Sequence, residues 1–186
     1  RLTDPRLDAE QGRALANSTK DRTEHRFVVD ALRAALAPLC RTLDVPDEPE
    51  LMTTPTMWHL GTPIRGEIAD PSTTALDLAM AVHPTPAICG TPTDLARDHI
   101  VATEGRRGFY AGAIGWAGAP TRGRDGTIVA GDGEWMVAIR CAEIAPGGRE
   151  ITTWAGGGIV ADSDPDTELA ETDAKFATIL AALGIR

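Results

Sequence analysis

The sequence predicts an α+β fold: a mostly antiparallel sheet, or sheets, with helices packed on the outside. Three observations predict it. Apolar residues recur at helical spacing behind recognisable caps in two long stretches, near residues 18–39 and 164–184. Residues 109–116 and 134–144 read as strands joined by a Gly-rich polar loop over 118–133. Helices and strands are interspersed without the strict β-α-β rhythm of a parallel sheet.

Taken in order, residues 1–17 are polar and charged with no clear apolar period, and a chain opening this way without Met reads as an internal piece. Ser18 then reads as an N-cap with Asp21 three residues on. Val28, Val29, Leu32, Ala35, Leu36 and Leu39 carry one amphipathic helix to about Leu39. Pro46, Pro49 and Pro55 break the next stretch of chain, leaving a strand over 57–60. A second helix runs from Ser72 or Thr73 to Val82, stopped by Pro84 and Pro86. Thr91 caps a third, with Pro92 at its first position and Asp94 near its positive end, lasting to about Ala102. A further strand ends at Trp154. The last helix has Asp164 as cap, Pro165 at its start, Gly184 at its close and an apolar stripe of Leu169, Phe176, Leu180 and Leu183.

Composition removes several function classes. The 186 residues are 42% hydrophobic and 24% charged, ordinary globular proportions that argue against disorder. The net charge of −9 has the wrong sign for a general nucleic-acid binder, which needs basic surface to displace counterions. No apolar run reaches about 18 residues, so no membrane partner is expected. No charged-then-apolar leader opens the chain either. Cys40, Cys89 and Cys141 form no CxxC pair, so a reducing cytoplasm is the expected home.

Four features carry chemistry. Asp21 and Glu24 share a helix face, as do Glu168, Glu171 and Lys175. Such acids arise as solvated faces, or they gather around a hard cation, for which Mg²⁺ suits a site of few carboxylates. Arg140 falls on a stretch whose alternate faces, Trp135, Val137, Ile139, Cys141 and Met136, Ala138, Ala142, both read as buried and central. A guanidinium there needs an anion: Glu143, an acid from another strand, or a substrate carboxylate. Gly156, Gly157 and Gly158 form either a tight turn or a cradle of N–H groups for an anion. Residues 83–90, with Pro84 and Pro86, form a rigid irregular segment fit to shape a pocket. His59, between Trp58 and Leu60, reads as a core histidine or a catalytic group.

In combination these motifs resemble the chorismate-utilising enzymes, the family of isochorismate, salicylate, anthranilate and aminodeoxychorismate synthases. The resemblance runs from about Thr19 through Lys20-Asp21-Arg22-Thr23-Glu24-His25, Trp58-His59-Leu60 and the 83–90 segment. It continues through Arg107-Gly108-Phe109-Tyr110-Ala111-Gly112, Ile139-Arg140-Cys141-Ala142, Ala155-Gly156-Gly157-Gly158-Ile159-Val160, and Glu168, Glu171, Thr172 and Lys175.

The resemblance implies that Glu24 and Glu171 bind Mg²⁺ directly, with Asp21 and Glu168 acting through its waters, and that the ion holds the ring carboxylate of chorismate. It implies that Arg140 takes the enolpyruvyl carboxylate, that Lys175 and the N–H groups at Gly156 and Gly157 hold anionic groups, and that His59 lies beside the departing hydroxyl. The form of Ala87 and Ile88 is similar to that of isochorismate synthases, which add water, rather than of ammonia-using relatives. Family members are about twice as long, and their amino-terminal half carries the Lys base and Glu acid. Residues 1–186 are therefore expected to be the carboxy-terminal part of a single chorismate-binding domain, completed by the missing half or a complementing chain, and feeding siderophore or menaquinone synthesis. Salicylate synthase and a non-catalytic chorismate-binding fragment are the alternatives.

Overall fold

The computed structural model describes residues 2–54, 57–161 and 163–185. In chain order the elements are α1 (Pro5–Asn17), α2 (Thr19–Leu36), a 3₁₀ turn (Ala37–Leu39), β1 (Cys40–Asp44), β2 (Glu50–Thr53), β3 (Trp58–Gly61) and β4 (Arg65–Ile68). Then come α3 (Ala75–Val82), α4 (Thr93–Thr103), β5 (Ala113–Ala117), β6 (Thr121–Arg122) and β7 (Ile128–Val129). The chain ends with β8 (Gly133–Val137), β9 (Ala142–Ile144), β10 (Ile151–Thr153) and α5 (Pro165–Ala182). The class is α+β as the sequence predicts. Among the described residues the sheets are two-stranded: β1 with β4, β2 with β3, β6 with β7 and β9 with β10 are antiparallel ladders, and β5 pairs with β8. No described helix is long and apolar enough to cross a membrane. The chain forms two compact units, Arg1–Ala87 with Trp116–Glu134, and Ile88–Gly115 with Trp135–Arg186.

In the first unit, residues 5–17 are helical, although the sequence shows no apolar period there. Asp4 caps α1, accepting from the N–H groups of Arg6 and Leu7, with Pro5 in the first turn. Its buried residues are Asp8 and Gly12, which face Trp58, with Leu51 also beside Gly12. Trp58 Nε1 donates to Asp8 Oδ1 at 3.3 Å, and a Cβ at Gly12 would stand 3.0 Å from Trp58 Cε2. A helix that docks through Gly and Asp leaves no apolar period to read. Ser18 caps α2 by accepting from Asp21 N. Val29 of α2 and Ala79 of α3 are buried, and the two helices pack together. A capping box closes the start of α3, with Thr74 and Asp77 bonded reciprocally. The expected break at Pro55 lies outside the described residues. The loop expected over 118–133 contains the short β6–β7 ladder.

In the second unit, Pro92 rather than Thr91 is the N-cap of α4, with no side-chain cap bond. Two expected strands are shorter than the sequence suggests. Residues 109–112 are a turn in which Ala111 has φ 65°, so β5 begins at Ala113. The stretch 134–144 is divided into β8 and β9 by Arg140, whose φ of 49° no strand accommodates. Arg140 is thus not on a central strand, and Met136 and Ile139 are exposed rather than buried. At α5, Asp164 accepts from Thr167 N, and Gly184 follows the helix in the left-handed region, as the sequence predicts. Ile179 is its buried apolar residue; Leu169, Leu180 and Leu183 of the expected stripe are exposed.

Candidate active site

The second unit holds seven of the eleven candidate residues, and five of these lie on α5 and the glycine run before it. Asp164 and Pro165 fix the helix start, and Asp166 and Glu168 lie in its positive first turn. Glu168 is 7% exposed, an unusual depth for a carboxylate. Ser163 Oγ donates to Glu168 Oε1 at 2.6 Å, while Val160 N donates to Ser163 Oγ at 3.1 Å. Ser163 and Glu168 hold the positions flanking the cap where a hydrophobic staple often sits; here the pair is polar. The sequence reading missed Ser163. Its signal is its place immediately before the cap.

One turn beyond Glu168, Glu171 Oε1 pairs with Lys175 Nζ at 2.7 Å. The same ammonium donates to the Gly156 carbonyl at 2.8 Å, tying the glycine run to the helix. A Cβ at Gly157 would stand 3.2 Å from Glu168 Oε2, and one at Gly156 would stand 3.2 Å from the Tyr110 hydroxyl. Gly157→Ala is accordingly expected to cost about 1–3 kcal/mol as overpacking against a held carboxylate. Denaturant melts check it; an unchanged midpoint would mean that Glu168 gives way freely.

Tyr110 lies in the turn that precedes β5. Its ring stacks on Trp154 with centroids 6.3 Å apart, and Phe109 meets Trp154 edge-on at 5.4 Å. Ala111 N donates to Ala138 O at 2.9 Å and Ala138 N to Gly112 O at 2.8 Å, fixing the 109–112 turn beside the backbone that leads to Arg140. Burial pushes the Tyr110 hydroxyl above its ordinary range, while the guanidiniums of Arg107 and Arg140 pull it back. Arg140 itself is half-buried, with its backbone in the left-handed region.

The first unit holds the remaining candidates. Asp21 and Glu24 are one turn apart on α2, and Glu24 Oε1 lies 3.7 Å from Lys20 Nζ. His25 Nε2 is 2.8 Å from Thr62 Oγ1, and burial lowers its pKa. His59 stands half-buried on β3 opposite Met52, on a strand docked to α1 through Trp58. Ala87 lies in the turn formed by residues 86–89.

The chorismate binding enzyme family matches residues 1–184. The chain belongs to that family. Among its relatives, isochorismate synthase DhbC of Bacillus subtilis is 52% identical over 186 residues, covering 100% of this chain and 44% of that protein. The solved structure of DhbC from Bacillus anthracis has a TM-score of 0.89 at 45% identity, over 100% of this chain and 47% of that one. MenF, the menaquinone-specific isochorismate synthase from Escherichia coli, has a TM-score of 0.77 at 28% identity, over 96% of this chain and 38% of that one. The chain thus spans under half the length of these relatives.

Within the chain, Glu168, Glu171, Lys175, Gly156 and Gly157 come together in one unit, which also holds Tyr110 and Arg140. Asp21, Glu24 and His59 belong to the other. Among the described residues no group of three or more His, Cys, Asp or Glu is placed to hold a metal ion. The carboxylates stand as two helical pairs, and in each pair the residue expected to bind metal directly is matched with a lysine four residues away on its own helix.

Proposed function

We propose that this chain supplies the metal- and carboxylate-binding part of an Mg²⁺-dependent isochorismate synthase. The observation that carries the proposal is that one unit holds Arg140, the Gly156–Gly157 backbone and Lys175, whose ammonium is bonded to the Gly156 carbonyl. In a chain of net charge −9 such a set favours a small dianion over a large anionic polymer.

Arg140 takes the carboxylate of the enolpyruvyl side chain, its planar fork suiting two parallel hydrogen bonds. Lys175 and the N–H groups at Gly156 and Gly157 orient the anion further, and the bond to the Gly156 carbonyl holds the ammonium in place. On this reading Glu24 and Glu171 would hold Mg²⁺ directly, and Asp21 and Glu168 would act through its waters. The donor set is all carboxylate oxygen, the hard chemistry this ion takes. When bound, the ion supplies positive charge for the ring carboxylate. His59 lies beside the hydroxyl that leaves ring carbon four, while water enters at carbon two. Ala87 and Ile88 border the nucleophile's approach. The base that activates water and the acid that protonates the leaving hydroxyl come from the rest of the protein or from a complementing chain.

The test is to incubate the full-length protein with chorismate and Mg²⁺ and to separate the products chromatographically. Isochorismate is expected, and a chelator removes the activity. Salicylate with pyruvate would mark a reaction that continues past isochorismate. Anthranilate formed from ammonia would overturn the reading in favour of an amine-transferring relative.

A further inference from the structure

Arg107 makes three unlike contacts from one side chain that is 26% exposed. Its Nε and Nη2 fork the Glu104 carboxylate at 2.7 Å each. Its Nη1 donates to the Ile88 carbonyl at 2.9 Å, across 19 residues of chain. Its guanidinium carbon lies 5.9 Å from the centroid of the Tyr110 ring. Glu104 is fixed in turn as the C-cap of α4, its N–H donating to the Ile100 carbonyl at 2.9 Å.

We propose that Arg107 is a positioning residue, which sets the Ile88 segment against the Tyr110 wall of the substrate-binding surface without touching substrate. Glu104 orients the guanidinium plane, leaving one N–H edge for the Ile88 carbonyl and one face for the tyrosine. The Tyr110 hydroxyl lies 3.2 Å from where a Cβ on Gly156 would stand, and the Gly156 carbonyl is bonded to Lys175. One cation thereby joins the segment bordering the nucleophile to the groups that hold the anion. Lysine has no fork and no flat face, so it cannot make the three contacts together.

The kinetic arm of the test rests on the isochorismate synthase reading; the exchange arm does not. In the full-length protein, Arg107→Lys is expected to speed amide hydrogen exchange at residues 87–90 by about 10-fold, the worth of one charged hydrogen bond. Chorismate KM is expected to rise by a similar factor, with kcat much less affected. Glu104→Gln, which keeps the guanidinium and weakens its anchor, shifts both in the same direction by less. The double variant is no worse than Arg107→Lys alone, because both act on one contact set. Unchanged exchange at 87–90 overturns the proposal, as does additivity of the two variants. So does altered exchange with unaltered KM in an enzyme that turns chorismate over. If the protein leaves chorismate unchanged, the functional reading fails, and exchange alone decides the role of Arg107: faster exchange supports it and unchanged exchange overturns it.

Discussion

Glu171→Gln in the full-length protein is expected to lower Mg²⁺-dependent turnover of chorismate by about 10³-fold, since a Lewis-acid ion contributes several kcal/mol to such a step. Glutamine keeps the shape of the side chain and deletes the charge that the ion requires. The fold should survive. Glu171 is 49% exposed, and its 17%-exposed partner Lys175 keeps its bond to the Gly156 carbonyl, so the loss of the pair is expected to cost about 1 kcal/mol. Melting curves separate that small loss from the catalytic one, and a Mg²⁺ titration of turnover reads the ligand role directly. A variant with the parent's Mg²⁺ response removes Glu171 from the metal site.

Arg140→Asn is expected to raise the KM for chorismate by roughly 10²- to 10³-fold, the scale of deleting one partner of a desolvated charge pair. Asparagine is the informative replacement because it tolerates the left-handed backbone found here, with φ at 49°. It removes the guanidinium while leaving the junction between β8 and β9 able to form. Arg140→Ala should lose binding equally and add about 1 kcal/mol of backbone cost, seen as a lower melting temperature. Equal KM for wild type and Arg140→Asn would mean that the arginine serves the fold and not the ligand.

Where capping chemistry announced an element, the sequence was enough. Ser18 and Asp164 cap α2 and α5 as the sequence predicts, whereas α3 starts later than the expected Ser72 or Thr73, because Thr74 and Asp77 form its capping box. The helix over 5–17 escaped because its packing face is Asp8 and Gly12 against Trp58, a contact with no hydrophobic period. The bend at Arg140 escaped because arginine carries no turn signature. Only the closed backbone shows that residue leaving the extended region. In the site, helical spacing was sufficient to group Glu168, Glu171 and Lys175. The bonds of Ser163 to Glu168 and of Arg107 to Ile88 bring in residues from outside the helix, and spacing along one helix says nothing about those. The family motif marked Arg107 without assigning it any task.

The paired strands have a consequence for handling the protein. A ladder of two strands has two outer rims, and an isolated hairpin is only marginally stable in water. Here Ile114, Trp116, Met136 and Ile144 sit on such ladders with more than half of each residue open to solvent. Greasy residues beside unfilled rims are the ingredients of sticky, self-templating growth. Expressed by itself, this polypeptide is therefore best kept dilute and cold, and its clarity in solution should be watched as closely as its melting point.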